Sequence, residues 1–290
     1  MSGILGRLRL LRTSSGSIWP AQTCRYLAAE RTNHVSVTMD PDFDGSVAIV
    51  KLQKKPVNSL CSNHLQEITK TITGLENNER VRAMIITSAF PGVFCAGLDL
   101  MSMYQRTDDE IYTFWHHFQD MVLKNYTTPL ITIAAINGHC VAGGCTIAFG
   151  TDYRVMCEDH LTGLNEARLG LPIPFYLKNM TQNLIGKRQA EKMFLLAQFV
   201  KSDKALKLGL VDEVVPMDQV MTAAKKQVTK FLEIPDVGRS IVKEGLRKAD
   251  IEEFNEKRES DARFYASLNS SRKIQALFKE NLENLKKKKK

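Results

Sequence analysis

No stretch of the 290 residues approaches the 18 consecutive apolar positions that a bilayer-crossing helix requires, so no membrane span is expected. The chain has no G-x-x-x-x-G-K-[ST], no G-x-G-x-x-G after a strand pattern and no G-x-S-x-G. The common phosphate-loop, dinucleotide and serine-hydrolase chemistries are thereby set aside. It has no C-x2-C pair either. His139, Cys140 and Cys145 therefore do not make a zinc pattern, no metal is expected, and the six cysteines read as free thiols. Acidic residues are missing from positions 1–29, where four arginines (Arg7, Arg9, Arg12, Arg25) stand.

Those arginines and the five lysines Lys286 to Lys290 more than account for the net charge of +8. The basicity belongs to the ends and not to a central groove, so no nucleic-acid partner is expected. Ile4, Leu5, Leu8 and Leu11 at helical spacing put an apolar face beside an arginine-bearing one, the composition of a mitochondrial transit peptide over residues 1–29. Arg7, Arg9 and Arg12 interrupt every candidate secretory h-region. The expected location is the mitochondrial matrix. Hydrophobic residues at 43% and charged residues at 25% are ordinary for a globular chain.

Two β-runs, Val35–Met39 and Val47–Leu52, flank the turn-rich Asp40-Pro-Asp-Phe-Asp-Gly45. Leu65, Ile68, Ile72 and Leu75 recur at helical spacing after Ser62, the expected N-cap. Met84–Thr87 reads as a buried strand. A helix over Thr107–Tyr126 starts with the capping box Thr107-Asp-Asp-Glu110, and Leu130–Ile136 is a second buried strand. Gly143–Phe149 reads as a buried helix and Tyr153–Met156 as a strand. Beyond Pro174 the pattern is helical: Phe175–Ile185, Lys187–Ala197, Asp203–Leu208, Met217–Leu232, Arg239–Lys248 and Ile251–Asn284, with Val211–Val215 as the one strand. Alternating strands and helices followed by helices imply an α/β core with an appended helical part, divided near Pro235. The expected domains are 1–29, 30–235 and 236–290.

Three segments carry chemistry. Phe94-Cys-Ala-Gly-Leu-Asp-Leu100 and Asn137-Gly-His-Cys-Val-Ala-Gly-Gly-Cys145 are glycine turns following strands and leading into helices, where main-chain N–H groups are unpaired and small residues admit a ligand. Two such groups on one oxygen make an oxyanion hole. The third segment, Thr162-Gly-Leu-Asn-Glu-Ala-Arg-Leu-Gly-Leu-Pro-Ile-Pro174, places Glu166 among Leu164, Leu169, Leu171 and Phe175. Apolar surroundings destabilise the charged carboxylate and make it a stronger base. A surface pairing of Glu166 with Arg168 is the plainer alternative.

In this order and spacing, the three segments resemble the crotonase (enoyl-CoA hydratase/isomerase) superfamily, from about Val35 to Val215 and more loosely through the last helices. The resemblance implies a spiral of β-β-α turns with C-terminal helices that build a homotrimer. It also implies an acyl-CoA thioester substrate and no cofactor, CoA being part of the substrate. It maps the two oxyanion N–H groups onto Ala96 and Gly143, and places substrate contacts at Ala96, Gly97, Leu98, Asp99, Leu100, Gly143 and Asn165. Lys54 and Lys55 are expected to face the CoA phosphates. Hydratases of this family use two glutamates, and the first of those positions is Thr146 here. With Glu166 alone, the resemblance implies an isomerase that moves a 3-cis or 3-trans double bond of an enoyl-CoA to the trans-2 position during β-oxidation. Hydration is the alternative. Ile111, Phe114, Trp115, Phe118 and Met121 are expected either to line the acyl channel or to be core.

Overall fold

The computed structural model describes residues 33–287; the expected leader, Cys24 and Lys288–Lys290 lie outside them. In chain order the elements are β1 (Val35–Met39), β2 (Val47–Leu52), α1 (Ser62–Glu76), β3 (Ala83–Ser88), β4 (Gly92–Cys95), α2 (Asp108–Thr127), β5 (Ile131–Ile136) and β6 (Gly138–Val141). They continue with α3 (Cys145–Phe149), β7 (Tyr153–Cys157), β8 (Leu161–Gly163), α4 (Phe175–Ile185), α5 (Lys187–Leu196), β9 (Phe199–Lys201) and α6 (Ser202–Leu208). The last are β10 (Glu213–Val215), α7 (Val220–Leu232), α8 (Asp236–Ser270) and α9 (Arg272–Lys287).

Two sheets form. The larger runs β1-β2-β3-β5-β7-β10 and is parallel except for the β1–β2 hairpin. Its central strands are buried on both faces, as a covered parallel sheet demands, and successive residues alternate between two cores. Ile85, Ile131, Ile133 and Val155 meet Ala224 and Val228 of α7. Met84, Ile86, Ala134 and Ile136 join the main cluster on the other face, with Leu65 and Ile68 of α1 and Phe114 and Phe118 of α2. The second sheet runs β4-β6-β8-β9, with β4, β6 and β8 parallel and β9 antiparallel to β8.

Several expectations are met closely. The capping box of α2 is present in both directions, Thr107 accepting from Glu110 N–H and Glu110 from Thr107 N–H. Helix α4 spans Phe175–Ile185. Others are corrected. Cys61, not Ser62, stands at the N-cap of α1, and Met217–Gln219 is a 3-10 turn before α7. The strand expected from Val211 begins at Glu213.

The break expected between helices at 239–248 and 251–284 is absent: α8 runs unbroken for 35 residues, and the break before α9 falls at Ser271. Asp250 does not interrupt α8 because its carboxylate is used across the seam, accepting from Tyr126 Oη at 2.8 Å and Asn183 Nδ2 at 2.8 Å. Ser271 does interrupt it, with an extended backbone and its hydroxyl donating to the Leu268 carbonyl at 2.6 Å. Helices α8 and α9 are not peripheral to the core: Phe254, Ala262, Tyr265, Ile274 and Phe278 belong to the main buried cluster. Among the described residues no helix is long and apolar enough to cross a membrane.

Candidate active site

The site is built at one edge of the second sheet. Cys95 of β4 pairs with Cys140 of β6, and Val141 of β6 pairs with Gly163 of β8. Three parallel strands therefore release their chains at the same edge, about 4.8 Å apart. Leu98 lies three residues beyond β4, Gly143 two beyond β6 and Glu166 three beyond β8. The carboxyl ends of parallel strands are where open α/β sheets gather their ligand groups.

The Ala96 amide expected in the oxyanion pair is not free. Ala96 is exposed and its N–H already donates to the Val57 carbonyl at 3.1 Å. The amide of Leu98 in this loop is unpaired and lies beside Gly143. Gly97 O accepts from Leu60 N–H at 2.9 Å, and Asp99 N–H donates to Leu60 O at 3.1 Å. The alternation of an extended backbone thus turns the Leu98 N–H away from that bridge, and among the described residues nothing accepts from it. Gly143 follows on the next strand, second in a 3-10 turn (Ala142–Gly144), where an N–H has no partner inside the helix. Close approach leaves little room for a side chain at either glycine. Gly97 sits at φ +94°, and a β-carbon there would meet Gly143 N at 3.0 Å. A β-carbon on Gly143 would meet Leu98 N at 3.1 Å.

Glu166 opens a 3-10 turn (Glu166–Leu169) and is 9% exposed. Burial pushes its carboxyl up to about 7, against the opposing pull of its own and the Asn165 backbone N–H groups. Its Oε2, like Asn165 Oδ1, is buried with no hydrogen-bond partner among the described residues. The surface pairing with Arg168 is not made: that guanidinium donates to the Ala197 carbonyl at 3.3 Å. Thr146 is fully buried and its hydroxyl donates to the Gly143 carbonyl at 2.6 Å, bracing the peptide that follows Gly143.

Asp99 anchors the loop that carries Leu98. It caps the 3-10 turn Leu100–Ser102, accepting from Met101 N–H at 3.1 Å, and it pairs with Lys54 at 3.0 Å. Lys54 also donates to Ser59 Oγ at 2.7 Å, so of the two lysines expected at phosphates only Lys55 is left exposed. Leu98 and Leu100 are half-buried beside the core cluster. Ile111, Phe114, Trp115, Phe118 and Met121 are at most 2% exposed and belong to the main buried cluster. Phe114 also reaches a cavity of about 420 Å³ with Ser62, Ser102 and Arg106, next to the Leu100 turn. Burial drives the Cys95 thiol up to about 12 and Cys157 to about 11, so both stay neutral, and among the described residues no cluster of three or more metal-ligating side chains forms.

A model of the family described as enoyl-CoA hydratase/isomerase matches residues 42–290. The chain belongs to that family. Within it, the mitochondrial enoyl-CoA delta isomerase 1 of the mouse is 41% identical over 90% of this chain and 91% of its own length. The crystal structure of human mitochondrial delta3-delta2-enoyl-CoA isomerase, 37% identical, superposes with a TM-score of 0.86 over 89% of this chain and 100% of that one. A short-chain-enoyl-CoA hydratase of Clostridium acetobutylicum is 30% identical over 71% of this chain and 79% of its length. The two-sheet α/β architecture is thus the crotonase fold of this family.

Proposed function

We propose that this chain is an isomerase that moves the double bond of a 3-enoyl-CoA, cis or trans, to the trans-2 position. The thioester oxygen sits between the N–H groups of Leu98 and Gly143. Glu166 removes a proton from C2, the electrons shift to give a dienolate held at those amides, and the protonated Glu166 returns the proton to C4. Gly97, Asp99 and Leu100 shape the oxyanion loop, and Asn165 sets the start of the base turn. No cofactor enters this sequence; CoA arrives with the substrate.

One observation carries the choice of reaction: Glu166 is a buried carboxylate with a free oxygen, and Thr146 spends its hydroxyl on Gly143 O. Addition of water needs a second acid–base group, and a threonine hydroxyl does not exchange a proton near neutral pH. Most of the barrier is charge growing on the carbonyl oxygen, for which each oriented donor contributes about 3–4 kcal/mol. The base, raised to about 7, is matched to neutral pH.

The mitochondrion is supported by the names of the mouse and human relatives, and the matrix by the arginine-bearing, acid-free leader. Residues 30–235 form the catalytic part, and 236–290 build a homotrimer. An exposed apolar face on the first turns of α8 supports the latter: Val237, Ile241, Val242 and Leu246 are 60–82% exposed.

The test follows the conjugated thioester by its ultraviolet absorbance. The protein should generate it from 3-hexenoyl-CoA and leave 2-hexenoyl-CoA in water unchanged. Loss of the second without gain from the first makes it a hydratase.

A further inference from the structure

We propose that Tyr265 is a positioning residue for the base, its hydroxyl fixing the segment behind Glu166 so that the carboxylate faces the acyl chain. The inference rests on the reading of Glu166 as that base. The turn that carries Glu166 ends at Gly170 (φ +72°), and Leu171 N–H returns to the Glu166 carbonyl at 3.1 Å. Of the four residues Leu171–Pro174 that follow, two are prolines with no N–H to donate. Among the described residues, the one side-chain hydrogen bond to the backbone of 170–174 is that of Tyr265 Oη to Pro172 O, at 3.1 Å.

Tyr265 is itself held. It is 2% exposed and stacks on Trp115 at 3.9 Å between ring centroids, 12° from parallel. Trp115 Nε1 donates to Asp261 at 2.9 Å, and the same carboxylate oxygen accepts from Gln119 Nε2 at 2.9 Å. Trp115 and Gln119 stand on α2, Asp261 and Tyr265 on α8, so the seam between two long helices sets the tyrosine's ring plane. The phenol is raised by burial and then by the charges of Asp261 and Glu166, which places it within electrostatic reach of the base. From the far side α9 closes on the same segment: a β-carbon on Gly170 would come 2.8 Å from Leu277 Cδ1. The last two helices thus back the base turn, Tyr265 through a directed hydrogen bond and α9 through packing.

Tyr265→Phe keeps the ring and its stack and removes the hydroxyl alone. Because small displacements of a catalytic group carry large rate penalties, the variant should lose about tenfold or more in kcat for 3-hexenoyl-CoA, with KM changed by less than about twofold. Its melting temperature and circular dichroism should match the parent. Trp115→Leu, which removes the stack, should lower kcat in the same direction among molecules shown to be folded. Wild-type kcat in Tyr265→Phe, with Glu166→Gln inactive, overturns the positioning role and leaves the base intact. A Tyr265→Phe variant whose melting temperature falls and whose KM rises along with the loss of kcat overturns it too, because Tyr265 is then merely structural. Turnover retained in Glu166→Gln overturns the base reading, and the positioning role with it.

Discussion

Leu98 and Gly143 lie so close that a β-carbon on Gly143 would be 3.0 Å from the Leu98 Cγ and 3.1 Å from its nitrogen. Gly143→Ala therefore pushes the two amides apart. Loss of one oriented donor in comparable sites costs about a hundredfold or more in kcat. Steady-state assay with 3-hexenoyl-CoA should show that drop, with CoA-ester affinity, read by calorimetry, nearly unchanged. A Gly143→Ala enzyme of full activity removes Gly143 from the oxyanion hole.

The proposed proton transfer needs Glu166 as the carboxylate. With its carboxyl raised to about 7 by burial, kcat/KM should climb with pH through an inflection near 7 and level off above it. A profile flat from pH 5 to 9 contradicts the assignment.

The same burial has a cost in stability with a definite sign. The folded protein binds the Glu166 proton more tightly than the unfolded chain, whose carboxyl sits near the ordinary glutamate value of 4.5. Stability is therefore undiminished below about 4.5 and declines as pH rises through about 7. Glu166→Gln removes that dependence. It should abolish turnover while gaining up to about 3 kcal/mol at pH 8 relative to its effect at pH 4, each tenfold in proton affinity being worth about 1.4 kcal/mol. Urea denaturation at both pH values measures the difference.

Lys54 ties the loop that carries Leu98 to the exit of strand β2 through Asp99 and Ser59. The pair is partly screened, so Lys54→Met should cost only about 1 kcal/mol in denaturant unfolding. Its effect on turnover should be larger than that figure implies, because Asp99 is the neighbour of the Leu98 amide. Unchanged kcat together with unchanged stability rules out the tether.

If the exposed face of α8 joins copies of the chain, Ile241→Glu or Leu246→Lys should convert a trimer into smaller species by sedimentation equilibrium. A wild-type protein that sediments as a monomer dismisses that face as the interface.

Much of the larger sheet was legible because periodicity carries it. The apolar β3 and β5, the repeat in α1 and the capping box of α2 are local signals that their own segments express. The second sheet was not legible. Strands β4, β6 and β8 are three or four residues long and contain glycine, histidine, cysteine and threonine, too short for any alternation to show. They exist because they pair with one another across 20–50 residues of chain. The unbroken length of α8 was hidden for a related reason: a polar stretch around Asp250 has the composition of a break, and only Tyr126, Asn179 and Asn183, brought in from other helices, satisfy it.

The sequence by itself determined the chemistry available: one glutamate in an apolar setting, a threonine where a second acid would stand, and two glycine turns able to bare main-chain amides. Which amides are bared was decided only in three dimensions. The family resemblance pointed to Ala96, two residues before Leu98. The carbonyl of Val57, 39 positions earlier, takes the N–H of Ala96 and leaves that of Leu98 beside Gly143. Hydrogen-bond partners of a backbone amide are set by whichever strand lies alongside, and no property of the amide's own residue encodes that neighbour.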